Sequence, residues 1–300
     1  MRFQLSDFRR SSLRAVVVLA SGTVLAIASA DPYQSEGFVK IPDNVELDAV
    51  SAVAVGPAGQ LYVLHRGEPP VLAYDAAGEF SHGWGEGMFG VAHGLRVDAD
   101  GNVWATDNNL HVLWKFSPEG EVLATYGEPG VGGDDETHFR SPDDIAFASN
   151  GDIYVADAGN GRIVRLAADG SFKAQWGRKG SREGEFAAAH GIGIDAEDRI
   201  YVADRGNNRV QVFSNDGTFV AAWSGFGNPF GVQVVGDELV VTDGDAHTIS
   251  HLSLKDGRMT HQWGGPDALR LPHLMDHDGS GRLFVTEVEG QRVQIFRRVM

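Results

Sequence analysis

Three histidines stand at equivalent places in this 300-residue chain, and their side chains have the chemistry of metal ligands. His93, His190 and His273 each lie fourteen residues before an acidic residue that ends an apolar segment. Three imidazoles that converge on one point can hold a divalent ion and leave a fourth coordination position open. In catalytic sites such an ion polarises a bound oxygen and lowers its pKa. The spacing therefore predicts a metal site, with zinc or another divalent ion as the cofactor.

Two arginines share another position in the same pattern. Arg66 and Arg205 directly follow the residue that ends the second segment of a repeat, at the rim where the metal site is predicted. A planar guanidinium group binds a carboxylate through paired hydrogen bonds, so these residues are predicted to hold a substrate carboxylate. The alternative is that they pair with acids of the repeats themselves, such as Asp204.

A repeated unit positions these side chains. Short segments of alternating polarity are separated by turns rich in Gly, Asp and Asn, which is typical of antiparallel strands. The unit occurs six times, and its second strand ends at His65, Asp107, Asp157, Asp204, Asp243 and Glu287. These residues are 39 to 50 positions apart, which is the period of four-stranded propeller blades. The sequence predicts an all-β fold, a six-bladed β-propeller.

The ring of blades needs a strand from the N-terminal region. A fourth strand that ends in an aromatic residue is predicted in five blades, at residues 80–84, 122–126, 172–176, 219–223 and 259–263. The sixth repeat stops at Phe296, too early for a fourth strand, whereas Phe38-Val39-Lys40-Ile41-Pro42 has the matching pattern. We expect this N-terminal strand to pair with the last blade and close the ring, which removes exposed strand edges.

The innermost strand of each blade begins beside the central channel, and the repeat register indicates which residue lies there. In blade order these residues are Ser51, His93, Asp143, His190, Phe230 and His273. Histidine therefore occupies every second blade, about 120° apart around a six-fold ring. A single histidine at such a position is usually structural or solvated, but the alternation favours a metal site.

The first 30 residues have the features of a secretory signal peptide. Four arginines precede the apolar run 15–28, and Ala28-Ser29-Ala30 is a small-residue cleavage site. We expect residues 1–30 to be removed and residues 31–300 to form one propeller domain without a membrane span, in the periplasm or secreted. The Arg9-Arg10 pair leaves both Sec and twin-arginine export open. An N-terminal anchor helix is the alternative.

Composition narrows the range of partners. The chain has 41 acidic and 25 basic residues and a net charge of −16, which argues against binding to nucleic acid. It contains no cysteine, so disulfides, thiolate chemistry and lipid attachment through cysteine are excluded. The predicted partner is a small molecule or peptide that carries a carboxylate.

Two sets of motifs resemble known families. The turns Asn160-Gly161-Arg162 and Asn208-Arg209 resemble those of NHL-repeat propellers, over nearly the whole chain after residue 30. The segment VAHGLRVDADGNVWATDNNLHVLWKF, residues 91–116, is similar to the second blade of peptidyl-α-hydroxyglycine α-amidating lyases. This second resemblance implies cleavage of an α-hydroxyglycine, a carbinolamide, into an amide and glyoxylate.

The same resemblance implies roles for individual residues. The family's zinc ligands are histidines in corresponding motifs, which match His93, His190 and His273. Arginines in the family's first and fourth blades match Arg66 and Arg205. Zinc would then hold the hydroxyl oxygen of the substrate, and the arginines would orient it.

The chain departs from that family at two places. The family has a catalytic tyrosine in the third-blade turn, which here reads Asp157-Ala158-Gly159-Asn160, and Tyr154 in the preceding strand is expected to point elsewhere. A structural calcium in the family has an aspartate ligand directly after the third histidine, where Leu274 stands here and Asp276 is out of register. The carbonyl of Leu95 is a further calcium ligand that the resemblance implies.

Without the tyrosine, the predicted site needs another acid–base group. Asp143 lies in the channel of the same blade and is the first candidate, with capping of the turn after Pro142 as its alternative. His65 stands where the other five blades have an acid and adjoins Arg66, and it is a second candidate. His138 is a third.

The leading hypothesis is an exported, metal-dependent carbon–nitrogen lyase. The alternative is a non-catalytic NHL-type propeller that binds or scaffolds a protein partner, because propellers are often adaptors and a fold does not fix a function. A calcium-dependent lactonase would need several carboxylates at the axis, and the predicted ring offers only Asp143.

Overall fold

The computed structural model describes residues 31–299, which form six antiparallel sheets of four strands each. The innermost strands of successive blades pack side by side, and the sixth packs against the first, so the blades surround one channel. This confirms the predicted all-β, six-bladed propeller. The predicted signal peptide, residues 1–30, lies outside the described residues. Among residues 31–299, no helix is long and apolar enough to cross a membrane.

The strands are numbered in chain order, and β1 is Tyr33–Phe38. Blade one contains β2 (Val50–Val55), β3 (Leu61–His65), β4 (Val71–Tyr74) and β5 (Phe80–Trp84). Blade two contains β6 (Ala92–Val97), β7 (Val103–Asp107), β8 (Val112–Phe116) and β9 (Val122–Tyr126). Blade three contains β10 (Pro142–Phe147), β11 (Ile153–Asp157), β12 (Arg162–Leu166) and β13 (Phe172–Trp176).

Blade four contains β14 (Ala189–Ile194), β15 (Ile200–Asp204), β16 (Arg209–Phe213) and β17 (Phe219–Ser224), with a 3₁₀ turn at Arg205–Asn207. Blade five contains β18 (Pro229–Val235), β19 (Glu238–Asp243), β20 (Thr248–Ser253) and β21 (Met259–Gly264). Blade six contains β22 (Pro272–His277), β23 (Arg282–Glu287) and β24 (Arg292–Arg298), and β1 is its fourth strand.

Strand β1 closes the ring by pairing antiparallel with β24. The predicted closure is therefore right, but the predicted strand at residues 38–42 is wrong. The strand ends at Phe38, and Val39 adds one hydrogen bond to the main-chain oxygen of Val293 (2.9 Å). The reason is the length of β24: it extends to Arg298, so its antiparallel partner must begin at Tyr33.

Aromatic side chains at the ends of the outer strands pack between neighbouring blades, as predicted. The ring centroid of Trp84 in blade one lies 4.6 Å from that of Phe116 in blade two. Trp176 in blade three lies 5.9 Å from Phe213 in blade four. Large rings remove much apolar area from water when buried. This packing holds the inner strands in a fixed position around the channel.

Candidate metal centre

Each innermost strand begins with a β-bulge, and the predicted channel residues lie in these bulges. The pairing of β6 with β7 skips His93 and Gly94, and the same break falls at His190 and His273. A bulge bends its strand and redirects a side chain out of the regular alternation. The bulge is the local feature that directs these three side chains to one place.

A glycine follows two of the histidines because neighbouring blades approach closely there. A Cβ atom at Gly94 would lie 2.5 Å from the main-chain oxygen of Asp143. One at Gly191 would lie 2.4 Å from the main-chain oxygen of Phe230. Only a residue without a side chain allows the backbones to come so close.

The acid that ends the second strand fixes the segment leading into the bulge. Asp107 accepts hydrogen bonds from the main-chain N–H groups of Gly90 (2.7 Å) and Val91 (3.1 Å). Asp204 accepts the corresponding bond from Ala187 (3.0 Å). The recurrence of this acid fourteen residues after the channel position therefore has a structural cause.

The three histidines meet in the channel. One ring nitrogen from each of His93, His190 and His273 lies within 4.8 Å of the others. Their ring centroids are 4.8 to 5.0 Å apart, and all three side chains are buried. Within residues 31–299, this is the one group of three or more His, Asp or Glu side chains placed so that it could hold a metal ion.

The other ring nitrogen of each histidine is held by the main chain of another blade. The Nδ1 atoms lie 2.8, 2.9 and 2.6 Å from the main-chain oxygens of Asp143, Phe230 and Ser51, respectively. A carbonyl oxygen only accepts, so Nδ1 carries the proton and Nε2 keeps its lone pair. The Nε2 atom of His190 is buried and has no hydrogen-bond partner in the described chain. The donor set therefore fits a divalent metal.

The protonation state of the cluster also favours a metal. Burial lowers the pKa of His190 and of His273 well below the usual value, and the positive charge of a protonated His93 would lower both further. Metals bind the neutral imidazole. The fold thus keeps these rings in the form that coordinates.

The carboxylate of Asp143 lies beside the histidines. Its Oδ1 is 4.0 Å from Nε2 of His93, and its Oδ2 is 3.9 Å from Nε2 of His190. The Oδ1 atom accepts a hydrogen bond from Nδ2 of Asn108. Burial raises the pKa of Asp143, although His93 and Asn108 oppose this. A buried carboxyl group with a raised pKa next to a metal-binding cluster suits proton transfer.

Arg66 reaches the rim of the same channel from blade one. Its Nε lies 3.4 Å from the main-chain oxygen of Ala92, the residue before His93. Burial and His93 lower the pKa of His273 most, and the charges of Arg66 and Arg205 add to that effect. Both guanidinium groups are thus close enough to act electrostatically on the cluster.

Arg205 is held in place by its neighbours in blade five. Its guanidinium carbon lies 4.2 Å from the ring centroid of Phe230, and its Nε donates to Oδ1 of Asn228 (3.2 Å). The alternative pairing with Asp204 is absent, because that carboxylate binds Arg209 (2.8 Å). The head group of Arg205 therefore stays at the channel rim.

His65 does not join the cluster. Its Nδ1 accepts main-chain N–H groups of Asp48 (3.3 Å) and Gly67 (3.1 Å), and its Nε2 lies 2.8 Å from the main-chain oxygen of Pro69. The side chain is buried, and burial lowers its pKa. His65 thus holds the main chain before the bulge of blade one, as the strand-ending acids do in the other blades, and both of its ring nitrogens have hydrogen-bond partners. We assign it no part in the chemistry, contrary to the expectation from sequence.

Two more residues considered from the sequence are engaged elsewhere. His138 lies in the loop between β9 and β10, with Nδ1 2.9 Å from Oδ1 of Asp135. The hydroxyl of Tyr154 donates to the main-chain oxygen of Asn215 (2.9 Å). Tyr154 therefore points away from the cluster, as expected.

Two residues that contact the site, Thr106 and Asn108, were not predicted from the sequence. The hydroxyl of Thr106 donates to the main-chain oxygen of Asp143 (2.9 Å) and accepts from the main-chain N–H of Gly94 (2.7 Å), which ties two bulges together. Asn108 holds Asp143 as described above. The signal that could have found Asn108 is the repeat register, because in blade two it occupies the position of Arg66 and Arg205.

A buried arginine crosses the channel three residues further along the inner strands. The guanidinium group of Arg96 donates to Oδ2 of Asp144 (2.6 Å) and to the main-chain oxygens of Ile145 (3.3 Å) and Met275 (3.1 Å). Blade two is thereby bonded to blades three and six. Asp144 also accepts the main-chain N–H of Ile192 in blade four (3.2 Å).

The residues here do not fit the calcium that the family resemblance implies. Leu274 is fully buried among apolar side chains. Asp276 accepts the main-chain N–H of Val55 (2.9 Å) and Nε2 of Gln233 (3.0 Å), and the neighbouring carbonyl of Met275 is bonded to Arg96. Calcium requires six to eight oxygen ligands. We therefore derive no role for calcium.

Comparison with known proteins identifies the repeat and the fold class of this chain. The NHL repeat family model matches residues 139–166 and 186–213. The fold is similar to a solved streptogramin B lyase, with a TM-score of 0.67 over 88% of this chain and 97% of that one, at 14% identity. At that identity the likeness concerns the fold alone. The chain is a six-bladed β-propeller with two matches to the NHL repeat.

Among sequence relatives, the chain resembles amidating lyases. It is 32% identical over 168 residues to peptidyl-α-hydroxyglycine α-amidating lyase 1 of Drosophila melanogaster, covering 45% of this chain and 30% of that protein. It is 39% identical over 94 residues to a probable peptidyl-α-hydroxyglycine α-amidating lyase of Caenorhabditis elegans, covering 31% and 27%. The chain thus spans less than a third of the length of these two relatives.

Proposed function

We propose that this protein is an exported, zinc-dependent lyase that cleaves the N–C bond of an α-hydroxyglycine-type carbinolamide. The observation that carries the proposal is the cluster of His93, His190 and His273, whose Nδ1 atoms are all held by main-chain oxygens. The lyase names of the relatives support the reaction class. Export to the periplasm or medium rests on the sequence of residues 1–30, and residues 31–300 form the working domain.

The proposed reaction balances without a co-reactant. In the substrate R–CO–NH–CH(OH)–COO⁻, the bond between nitrogen and the hydroxylated carbon breaks, and its electron pair goes to nitrogen. The hydroxyl proton moves to that nitrogen while the carbon–oxygen double bond forms. The products are R–CO–NH₂ and glyoxylate, and no water, oxidant or reductant is consumed.

The residues of the site divide this work. A divalent ion on the three imidazoles would polarise the hydroxyl oxygen and lower its pKa. Asp143 would accept the hydroxyl proton and return it to the leaving nitrogen. Arg66 and Arg205 would hold the carboxylate by charge-assisted hydrogen bonds. The small carboxylate-bearing end of the substrate is then fixed in the channel, and R extends outwards.

Metal content and turnover test this function together. We expect the purified protein to hold about one divalent ion per chain and to release glyoxylate from α-hydroxyhippurate. A triple variant with His93, His190 and His273 changed to alanine should fold but lose both properties, because it lacks every ligand.

A matched triple variant removes three histidines outside the cluster, His82, His138 and His261, and should keep metal and activity. A wild type that binds no metal after reconstitution, or turns over equally well without it, would rule out the proposed function. A non-catalytic binding propeller would show neither property.

A further inference from the structure

We propose that the side-chain oxygen of Asn108 accepts a hydrogen bond from the N–H group of the scissile amide, which makes Asn108 a specificity-determining residue. The inference rests on the proposed function and assigns the residue that recognises the secondary amide nitrogen of its substrate. It is carried by three features of Asn108: its unpaired oxygen, its orientation and its place in the repeat.

The Oδ1 atom of Asn108 is buried and has no hydrogen-bond partner within the described part of the chain. An unpaired buried acceptor costs about 1–3 kcal/mol, whereas most buried polar atoms in proteins are paired. The same condition holds for Nε2 of His190, which faces the proposed metal; the other such atoms in the described chain belong to Tyr74, His82, Trp84, Trp114 and Trp176. A donor on a bound ligand would remove this cost.

The neighbours of Asn108 fix which way its amide points. Nδ2 donates to Oδ1 of Asp143, so Oδ1 is the end of the amide that has no partner in the described chain. The main-chain N–H of Asn108 donates to the main-chain oxygen of Val91 (3.0 Å), which holds the turn at the rim. Asn108 is therefore held by its main chain and by Nδ2, and its side-chain oxygen is the acceptor that has no partner in the described chain.

The repeat register places Asn108 among the substrate-binding residues. It occupies in blade two the position that Arg66 and Arg205 occupy in blades one and four. The arginines are donors and suit the carboxylate, whereas the free atom of Asn108 accepts and needs a donor. The substrate has two donors near the broken bond, and the hydroxyl is assigned to Asp143. The N–H group remains.

The bond between Asn108 and Asp143 gives this assignment a mechanistic consequence. One amide group contacts the carboxyl with Nδ2 and would contact the substrate nitrogen with Oδ1. The nitrogen is thereby held next to the carboxyl that returns the proton. Asn108 would both select an N–H group and position the nitrogen for protonation.

Binding of two unreactive ligands tests the inference without turnover. Hippurate has the carboxylate and the N–H group, and O-benzoylglycolate has an ester oxygen in place of N–H; neither has the reacting hydroxyl. We expect zinc-loaded wild type to bind hippurate about tenfold more tightly by calorimetry, as one hydrogen bond implies. Asn108→Ala should bind both ligands equally. The matched change Asn109→Ala, at the exposed neighbouring position, should keep the preference.

The outcomes separate this inference from the function on which it rests. Equal binding of both ligands by wild type, or an unchanged preference in Asn108→Ala, would overturn the role of Asn108. The wild-type comparison alone decides the matter if the alanine variant does not fold. Arg66→Gln should weaken the binding of both ligands equally and leave the preference for hippurate unchanged. If it weakens neither, Arg66 does not bind the carboxylate, and the comparison of the two ligands still tests Asn108. Failure of both ligands to bind wild type would overturn the role of Asn108, whereas the lyase function is decided separately by metal content and glyoxylate release.

Discussion

Two polar clusters lie in the same channel and come from the same inner strands, but they differ in how completely they are hydrogen-bonded. The first cluster, called here the histidine level, consists of His93, His190 and His273 with the adjoining Asp143 and Asn108. In it, Nε2 of His190 and Oδ1 of Asn108 have no partner in the described chain. The second cluster, called here the guanidinium level, consists of Arg96, Asp144 and Asp276. In it, Nε and both terminal nitrogens of Arg96 donate hydrogen bonds to Asp144 and to two main-chain oxygens. Asp276 accepts from Val55 and Gln233.

This difference indicates different roles. A fully paired polar network stabilises and specifies a fold, because every buried group is compensated. A buried group without a partner destabilises unless a ligand pairs with it. We therefore infer that the guanidinium level stabilises the fold and that the histidine level is a binding site. The predictions below test that division.

The largest expected effect is on catalysis at the histidine level. Asp143→Asn keeps the size of the side chain and can still accept from Asn108, but it removes the proton acceptor. A positioned general base contributes about 100- to 10,000-fold, so single-turnover release of glyoxylate from α-hydroxyhippurate should slow by that factor. Metal content should stay at the wild-type level. A rate within about twofold of wild type would show that Asp143 is not the base.

The next effect is on stability at the guanidinium level. Arg96→Met leaves the buried Asp144 without its partner, and breaking a buried ion pair costs about 3–5 kcal/mol. Urea unfolding should show this loss, while the remaining folded protein still binds metal. The double variant with Asp144→Leu should recover part of the stability, since it removes the carboxylate that Arg96 bonds directly.

Arg297→Met provides a matched control on the surface. Arg297 also pairs with a carboxylate, Glu36 (2.9 Å), but both side chains of this pair are exposed, and such pairs contribute about 0–1 kcal/mol. If Arg96→Met cost no more than this control, the guanidinium level would not be a stabilising element.

A smaller effect concerns pH and a histidine outside the channel. In blade five, Nε2 of His251 accepts from Nε1 of Trp263 (3.0 Å), and its Nδ1 is 3.3 Å from Glu238. Burial lowers the pKa of His251, Glu238 opposes this, and Arg298 and His261 add to it. The unfolded state, with a histidine pKa of about 6.5, therefore takes up the proton first. Stability should be complete above about pH 6.5 and fall as the pH drops below it.

His251→Gln keeps the hydrogen-bonding side chain but cannot titrate. The loss of unfolding free energy between about pH 7.5 and pH 5.5 should be smaller in this variant, by at most about 1.4 kcal/mol per pH unit. His82→Gln, in β5 of blade one, is the control. An identical pH slope in wild type and His251→Gln would contradict the assignment.

The smallest expected effect is that of calcium. Leu274 offers no carboxylate, and Arg96 already bonds the neighbouring carbonyl. An ion that binds the folded state raises its stability by mass action. We therefore expect millimolar calcium to leave the melting temperature within about 1 °C of the value in chelator. A clear rise would show that the folded protein binds calcium and would contradict this prediction.

The sequence by itself determined the number of blades and the register of the channel. The strand-ending acid and the outer aromatic each recur in five of the six blades, so the pattern that marks one blade marks the others. Counting back from the strand-ending residue named five of the six bulge residues, including the three histidines that meet, and aligning Phe230-Gly231 with His190-Gly191 named the sixth. These features are local, because each depends on residues within one repeat.

The tertiary structure decided the contacts between blades. Arg96 reaches Asp144 and Met275, which are 48 and 179 positions away, and Asn108 reaches Asp143 in the next blade. No period within a repeat encodes such pairs, because they form only when the ring is closed. The closing strand was misplaced for a related reason: most of the residues of β1 are exposed, so they lack the apolar alternation by which a strand is recognised. Its place follows from the length of β24.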